Sequence, residues 1–426
     1  MDYRYQGPLP NAAVIKERIR TYNHILHAIS QWREPPADCM WPILVKDNIG
    51  VTGLRATAGS YALKALKSKD AHCVENLRKA GGTPFGKTTM SELAGFLSTT
   101  LPPGYSELGG QGINPINERF TPGGSSSGSA IAVAAGFCHA AVATETHGSI
   151  VIPSIACGVV GYKPTVGMVS RDGVIPISHT LDSVGAIAQD VLGAARLVEA
   201  MAGRDENDPA TLDAPQNINL TAGLGEDKST LKLALATPDY RALDPEERRS
   251  LNEFTAIVKK HNIEIVPVPL KYIETHYKTI SSTEIQGDFD QFLIKYGNGN
   301  TPGTFRELVR FYEMRHQHHP FGMDRLTDSL TYDPDLNNPV YQAALKEGVG
   351  NCTAAIDAML EQSGAQGVIC LGFLPIFDLA RAPCVSIPLT TRASGAMLGV
   401  TVGSRRWEDR QVLEWASRLL TAVKKR

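Results

Sequence analysis

The run Gly123-Gly124-Ser125-Ser126-Ser127-Gly128-Ser129 passes directly into Ala130-Ile131-Ala132-Val133-Ala134-Ala135, and no other stretch limits the fold as much. Alone, a Gly/Ser segment reads as a flexible linker. Joined to a helix of small side chains, it reads as a turn held against close-packed neighbours, with glycines that let backbone N–H groups point into a cavity. The glycines of the chain bunch between residues 104 and 161, which suggests a site built from loops there. The helix is expected over Ser129 to Phe137, after a Pro-, Gly- and Asn-rich loop from Leu101 to Gly124.

Two further segments carry chemistry. Pro42 to Val45 is a short apolar run that ends in Lys46-Asp47-Asn48, a strand running into a polar loop. A lysine is ordinarily a surface residue. Burial would depress its pKa and let it act as a base. In Thr144-Glu145-Thr146-His147-Gly148-Ser149-Ile150, Ser149 follows a glycine in a tight turn behind the strand Ala140 to Thr144. That is a plausible place for an exposed nucleophile. Consecutive N–H groups at such a turn can form an oxyanion hole.

Elsewhere, Ile15, Ile19, Tyr22, Leu26 and Ile29 share one helical face, so Val14 to Trp32 is expected as an amphipathic helix. Asp70 is expected to cap a helix over Ala71 to Ala80. Gly203 to about Asn219 suggests a surface connection. Leu231 to Ala236 and Ile263 to Pro267 read as strands around a charged helix, Pro245 to Lys260, and Val412 to Val423 as an amphipathic helix. Residues 275 to 350 read as mostly helical, a covering subregion. Strands and helices alternate throughout, so the class is α/β.

The totals exclude several functions. With 426 residues the chain can bury a sizeable core as one large domain or two ordinary ones. A net charge of -2 gives no sign of a nucleic-acid partner. Seven scattered cysteines, an odd number without a CxxC pair, argue against a disulfide framework or a zinc ribbon and for a reducing compartment. Met1 to Tyr5 is not the start of a signal peptide. Ala130 to Ala143 contains His139 and is too short to span a bilayer. A soluble, cytoplasmic protein is expected.

Taken together and in this order, the three segments resemble the amidase-signature family. Ser125 and Ser149 are 24 residues apart, the spacing of that family's two serines. Thr57 to Ser60, Gly86-Lys87-Thr88 with Met90 to Ala94, Gly158 to Val166 and Ala382 to Pro388 also look like family segments, so the resemblance covers most of the chain. Gly124 to Ala130, Thr144 to Pro153 and Met168 to Ser178 look closest to the peptide-amidase branch. Pro320-Phe321-Gly322 and Asp333 to Leu345 add to this. The resemblance implies a single domain over 1–426, with a central, mostly parallel mixed sheet covered by helices and a variable helical cover around 275–350. It also implies that Ser149 attacks an amide carbonyl, that Ser125, on a cis peptide bond, relays protons, and that a neutral Lys46 is the base. The N–H groups of Thr146, His147, Gly148 and Ser149 would bind the oxyanion, without metal or cofactor. The expected substrate is a small molecule or a short peptide amide, and a homodimer is compatible with the family.

The chain departs from the pattern at His147, where the family usually has Gly, or Asp in the peptide-amidase branch. Glu145 replaces a frequent Asp, and Val151 stands where many members carry Arg. Gln31 to Trp41 is shorter than the usual stretch before the lysine strand. Other readings of the residues stay open. An acyl-transfer enzyme would use the same acyl-enzyme, and a member of an amidotransferase complex would need a partner chain. Gly81 to Thr88 satisfies the P-loop pattern, but a helical pattern precedes it and Pro84 interrupts the loop. His316, His318 and His319 read as an exposed helix end rather than a metal site.

Overall fold

Side-chain alternation along the strands divides this chain into two faces. On Pro42–Lys46, Ile43 and Val45 join one apolar cluster and Leu44 another. On Ala140–Glu145, Ala140 and Val142 face the first side, and Ala141 and Ala143 the second. Leu233 and Leu235 alternate in the same way with Ala234 and Ala236. A strand apolar on both faces must lie inside a sheet covered on both sides.

The computed structural model describes residues 2–238, 242–315 and 319–425. In chain order, its elements begin with α1 (Ala12–Leu26), β1 (Ile29–Trp32), β2 (Pro42–Lys46), α2 (His72–Lys79) and β3 (Thr83–Thr88). A small hairpin, β4 (Tyr105–Ser106) and β5 (Gly110–Gln111), precedes α3 (Ser127–Ala134), β6 (Ala140–Glu145), α4 (Val151–Cys157), β7 (Val160–Lys163) and β8 (Ser183–Ala188). Next come α5 (Val191–Met201), β9 (Leu231–Pro238), α6 (Pro245–Lys259) and β10 (Ile263–Leu270). The helices α7 (Tyr277–Tyr296), α8 (Phe305–Arg315), α9 (Asp324–Ser329) and α10 (Pro339–Ser363) follow. The chain closes with β11 (Gly367–Leu371), α11 (Ile376–Leu379), β12 (Cys384–Thr391), β13 (Met397–Gly403) and α12 (Asp409–Lys424).

One mixed sheet of 11 strands runs in the order β1-β3-β2-β6-β8-β7-β12-β13-β11-β9-β10. Its parallel pairs lie in two flanks, β3-β2-β6 and β11-β9-β10, and the strands between them pair antiparallel. Helices α2, α5, α6 and α12 cover one face, and α1, α3, α4, α10 and α11 the other. Helices α7, α8 and α9 form the cover expected around 275–350. Ile285, Phe289, Phe305, Leu308 and Leu326 pack on Met90, Leu93, Ile175 and Ile177. Among the described residues no helix is long and apolar enough to cross a membrane.

Three expectations need correction. The first helix stops at Leu26, because His27 turns left-handed (φ 49°), and Ile29 to Trp32 then pair with β3 as a strand. Asp70 does not cap α2. The cap position is Ala71, and the Asp70 carboxylate instead accepts from Thr52 N–H at 2.7 Å and Arg78 Nε at 2.8 Å. The connection after Gly203 does run over the surface, pinned there by buried Asp205 and Asp208, which hold Ser170 and Arg171. His319 is buried, with Nε2 3.2 Å from a Glu92 carboxylate oxygen, so it is not an exposed helix end. His316 and His318 lie outside the described residues. The P-loop look-alike lies mostly in β3 behind α2, and its Lys87 is fully buried with Nζ donating to Ile49 O.

Helix α3 starts two residues earlier than expected, which places Gly128 in its first turn. A Cβ there would lie 2.4 Å from Thr89 O and 2.5 Å from Ala28 O, both backbone atoms. Gly128→Ala is therefore expected to destabilise by about 1–3 kcal/mol, the usual cost of overpacking. The control Gly287→Ala lies in exposed mid-helix of α7 with open space around it, and should stabilise by about 0.5–1 kcal/mol. Thermal unfolding of the two variants checks both signs.

Candidate active site

In the flank β3-β2-β6 the strands run parallel, so their carboxyl ends meet at one edge, where open α/β sheets place ligand sites. β2 ends there in Lys46, β3 leads to Thr89-Met90-Ser91, and β6 leads to the turn holding Ser149.

Lys46 is completely buried. Its Nζ lies 2.8 Å from Ser125 Oγ, 2.8 Å from Thr144 Oγ1 and 3.0 Å from Thr144 O. Burial drives its pKa down to about 7, against the opposing charges of Glu145 and Asp182. A neutral amine keeps two N–H donors and gains a lone pair. The carbonyl of Thr144 can only accept, so one of the two hydroxyls can donate to that lone pair. Asn48 Nδ2 steadies Thr144 Oγ1 at 3.0 Å.

Ser125 follows a cis Gly124–Ser125 peptide bond. Its carbonyl accepts from Ser91 N–H at 3.0 Å, and the next residue, Ser126, donates its N–H to Ser149 O at 3.1 Å. Two chain segments are thereby tied side by side. Lys46, Ser125 and Ser149 are gathered at this one place. Ser149 is 8 % exposed, and its Oγ makes no hydrogen bond to another described residue.

The turn before Ser149 depends on Gly148, whose φ of 81° is hard for other residues to adopt. Of the four N–H groups expected in an oxyanion hole, that of Gly148 donates to Asp378 Oδ2 at 3.1 Å. Those of Thr146, His147 and Ser149 make no hydrogen bond to another described residue. Thr146 Oγ1 donates to Asp182 Oδ1 at 2.5 Å, and Asp182 also accepts from Ile177 and Ser178 N–H at 2.8 and 3.1 Å. Burial raises the Asp182 carboxyl to about 6.

The His147 ring stacks on Tyr277 of α7 (4.3 Å between centroids, 15° between planes) and meets Phe373 edge-on at 5.2 Å. Burial lowers its pKa to about 4, so the ring is neutral near pH 7. A larger cavity, about 270 Å³, is lined by Arg171, His179, Asp182, Asp288, Lys295 and Tyr296 among others. It is lined by none of Lys46, Ser125 and Ser149, so geometry rather than cavity size marks the site.

Sequence reasoning missed Asp378 and Asp182. Asp378 had a signal, since it is the one charge in the apolar run Leu374 to Ala380. His179, Glu284 and Asp288 also come together. Glu284 is occupied by Ser178, Thr180 and Tyr341, and Asp288 by His179, a network that fastens residues 178–180 to α7.

The family model described as Amidase matches residues 33–334. The chain belongs to the amidase family. It is an enzyme of that family, a hydrolase of amides. A putative amidase of Schizosaccharomyces pombe is 48% identical over an alignment covering 88% of this chain and 72% of that protein. A glutamyl-tRNA(Gln) amidotransferase component of Thermotoga maritima is 30% identical, covering 88% of this chain and 82% of that protein. Among solved structures, the peptide amidase of Stenotrophomonas maltophilia superposes with a TM-score of 0.89 at 26% identity, covering 97% of this chain and 93% of that one.

In this amidase-family enzyme the Lys46 amine is expected to titrate near pH 7 rather than near the ordinary 10.5. NMR of protein labelled with ¹⁵N at lysine side chains, with the signal assigned by its loss in Lys46→Met, measures it. A midpoint near 10.5 would mean that the amine stays charged.

Proposed function

We propose that the enzyme hydrolyses a carboxamide through an acyl-enzyme on Ser149, with Ser125 as proton relay and Lys46 as base. The observation that carries this reading is the completely buried Lys46 amine 2.8 Å from the Ser125 hydroxyl. An amine held near neutrality by burial can take a proton at pH 7 and return it. Ser149 Oγ forms the bond to the amide carbon while its proton passes through Ser125 to Lys46. The carbonyl oxygen becomes an oxyanion, stabilised by the N–H groups of Thr146, His147 and Ser149, with Gly148 the fourth candidate. The C–N bond then breaks, and the leaving nitrogen takes the proton back from Lys46 through Ser125. Water attacks the ester by the same route, giving a carboxylate and free Ser149.

The substrate we favour is a small molecule or short peptide amide, which likeness to a peptide amidase supports. Residues 1–426 act as one unit in this reading, because the site draws on β2, β6, α7 and α11 together. Seven free cysteines, six of them buried, support a reducing, cytoplasmic setting.

Intact-mass spectrometry with a fluorophosphonate serine probe tests the assignment. One adduct is expected on the wild type and none on Ser149→Ala. Ser125→Ala and Lys46→Ala should each slow amide hydrolysis by about 10²–10⁴-fold. Near-normal rates in either variant would overturn its assigned role.

A further inference from the structure

We propose that Asp378 and Glu145 form a proton-sharing carboxyl pair that positions the Ser149 turn, which makes both of them positioning residues for the amide chemistry. The proposal rests on Ser149 being the nucleophile.

The geometry brackets Ser149. Asp378, on α11, accepts the N–H of Gly148 on its Oδ2 at 3.1 Å. Glu145, at the end of β6, accepts the N–H groups of Ile150 and Val151 on its Oε2, the latter at 2.9 Å. One carboxyl thus holds the backbone just before the serine, and the other holds it just after. Both side chains are 1 % exposed. Their remaining oxygens, Glu145 Oε1 and Asp378 Oδ1, are buried without a protein donor, and the two carboxyl groups are near neighbours. Two carboxyl oxygens side by side can satisfy each other only through a shared proton. Two neighbouring buried carboxylates cannot both ionise without strong repulsion.

The groups facing the pair are few. Lys163 of β7 attracts both carboxyls, and its Nζ is anchored to Ala382 O at 2.5 Å. Lys46 of β2 faces Glu145. Cys384 of β12 and Cys352 of α10 face Asp378, and burial raises both thiols, so they stay neutral. The His147 ring places Nδ1 3.5 Å from Asp378 Oδ2 and is neutral.

Burial and the neighbouring Asp378 raise Glu145 to about 8, and burial raises Asp378 to about 6. Between these values the pair holds one proton and one charge. Below about 6 it gains a second proton and loses the anion that holds Gly148. Above about 8 it loses its last proton, and two adjacent anions repel. Lys46, titrating near 7, governs the acid limb of the reaction. The pair therefore shows itself on the alkaline limb.

The test is the rate of fluorophosphonate labelling of Ser149 in the full chain, followed by intact mass from about pH 6 to about pH 10. It is run on the wild type, Asp378→Asn and Asp378→Leu. Asparagine keeps an oxygen for Gly148 N–H and offers Glu145 a donor without sharing a proton. The wild-type rate should fall above about pH 8, whereas Asp378→Asn, which has no second anion to repel Glu145, should lose that limb and hold its rate through this range. Asp378→Leu, which keeps neither contact, should label about tenfold slower at every pH. Circular dichroism checks the fold of each variant, and if the leucine variant does not fold, the asparagine variant decides alone. An Asp378→Asn limb that coincides with the wild type's, or a wild type without an alkaline limb, overturns the pair while leaving Ser149 as nucleophile. A wild type that never labels at Ser149 overturns the nucleophile assignment and this proposal with it.

Discussion

Everything at this site depends on keeping the Lys46 amine out of water. Burying an isolated ammonium ion costs several kcal/mol even after relaxation, and a protein can avoid that cost by letting the amine go neutral. Two nearby acids, Glu145 and Asp182, would pull it back toward the charged form. Neither exerts a full, free charge. Glu145 is itself raised to about 8, so it is mostly protonated at neutral pH. Asp182 spends its oxygens on Thr146 Oγ1 and on the N–H groups of Ile177 and Ser178. The lysine stays near neutrality because the carboxyls around it are held back as well.

The sheet is what makes such burial achievable. β2 lies between β3 and β6, apolar on both faces, so its last residue has no route to solvent. Because the three strands are parallel, their exits lie together. Ser91, just after β3, binds the Ser125 carbonyl, and Thr144, near the end of β6, binds the lysine. A tight antiparallel hairpin at this point would have turned one exit to the far edge of the sheet. The close approach of α3, which needs Gly128 to clear two backbone oxygens, then brings the Ser125 segment over the strand ends.

How much of this was legible depends on the range of the interactions involved. The local settings of Lys46, Ser125 and Ser149 were legible because each is short-range: a lysine closing an apolar strand, a Gly/Ser turn opening a small-residue helix, and a serine after a glycine in a turn; that the three belong to one site came only from their resemblance, in that order, to a family. The alternating strands and the capped helix α6 were readable for the same reason. The end of α1 was not, since Ile29 continues the helical apolar period but the left-handed His27 sends it into a strand. Periodicity cannot detect one reversed dihedral. Asp70 looked like a cap because its neighbour begins a helix, yet its carboxylate finds Thr52 and Arg78 instead. The departures at Glu145 and His147 were visible as unusual residues, but their meaning was not. Asp378, the neighbour of Glu145, and Tyr277, on which His147 stacks, lie far along the chain and reach the turn only through α11 and the cover.

His147 shows how this turn tolerates a large side chain beside the nucleophile. A backbone N–H is all the turn asks of that position, and any non-proline residue supplies one. The ring has only to be stored somewhere dry. Tyr277 takes its face and Phe373 its edge, and burial strips its charge. A charged imidazolium in that slot would draw negative charge from Asp378 and loosen its grip on Gly148. Keeping the ring neutral therefore serves the same end as the shared proton beneath it. The backbone around Ser149 is held by one anion, and nothing cationic in the turn competes for it.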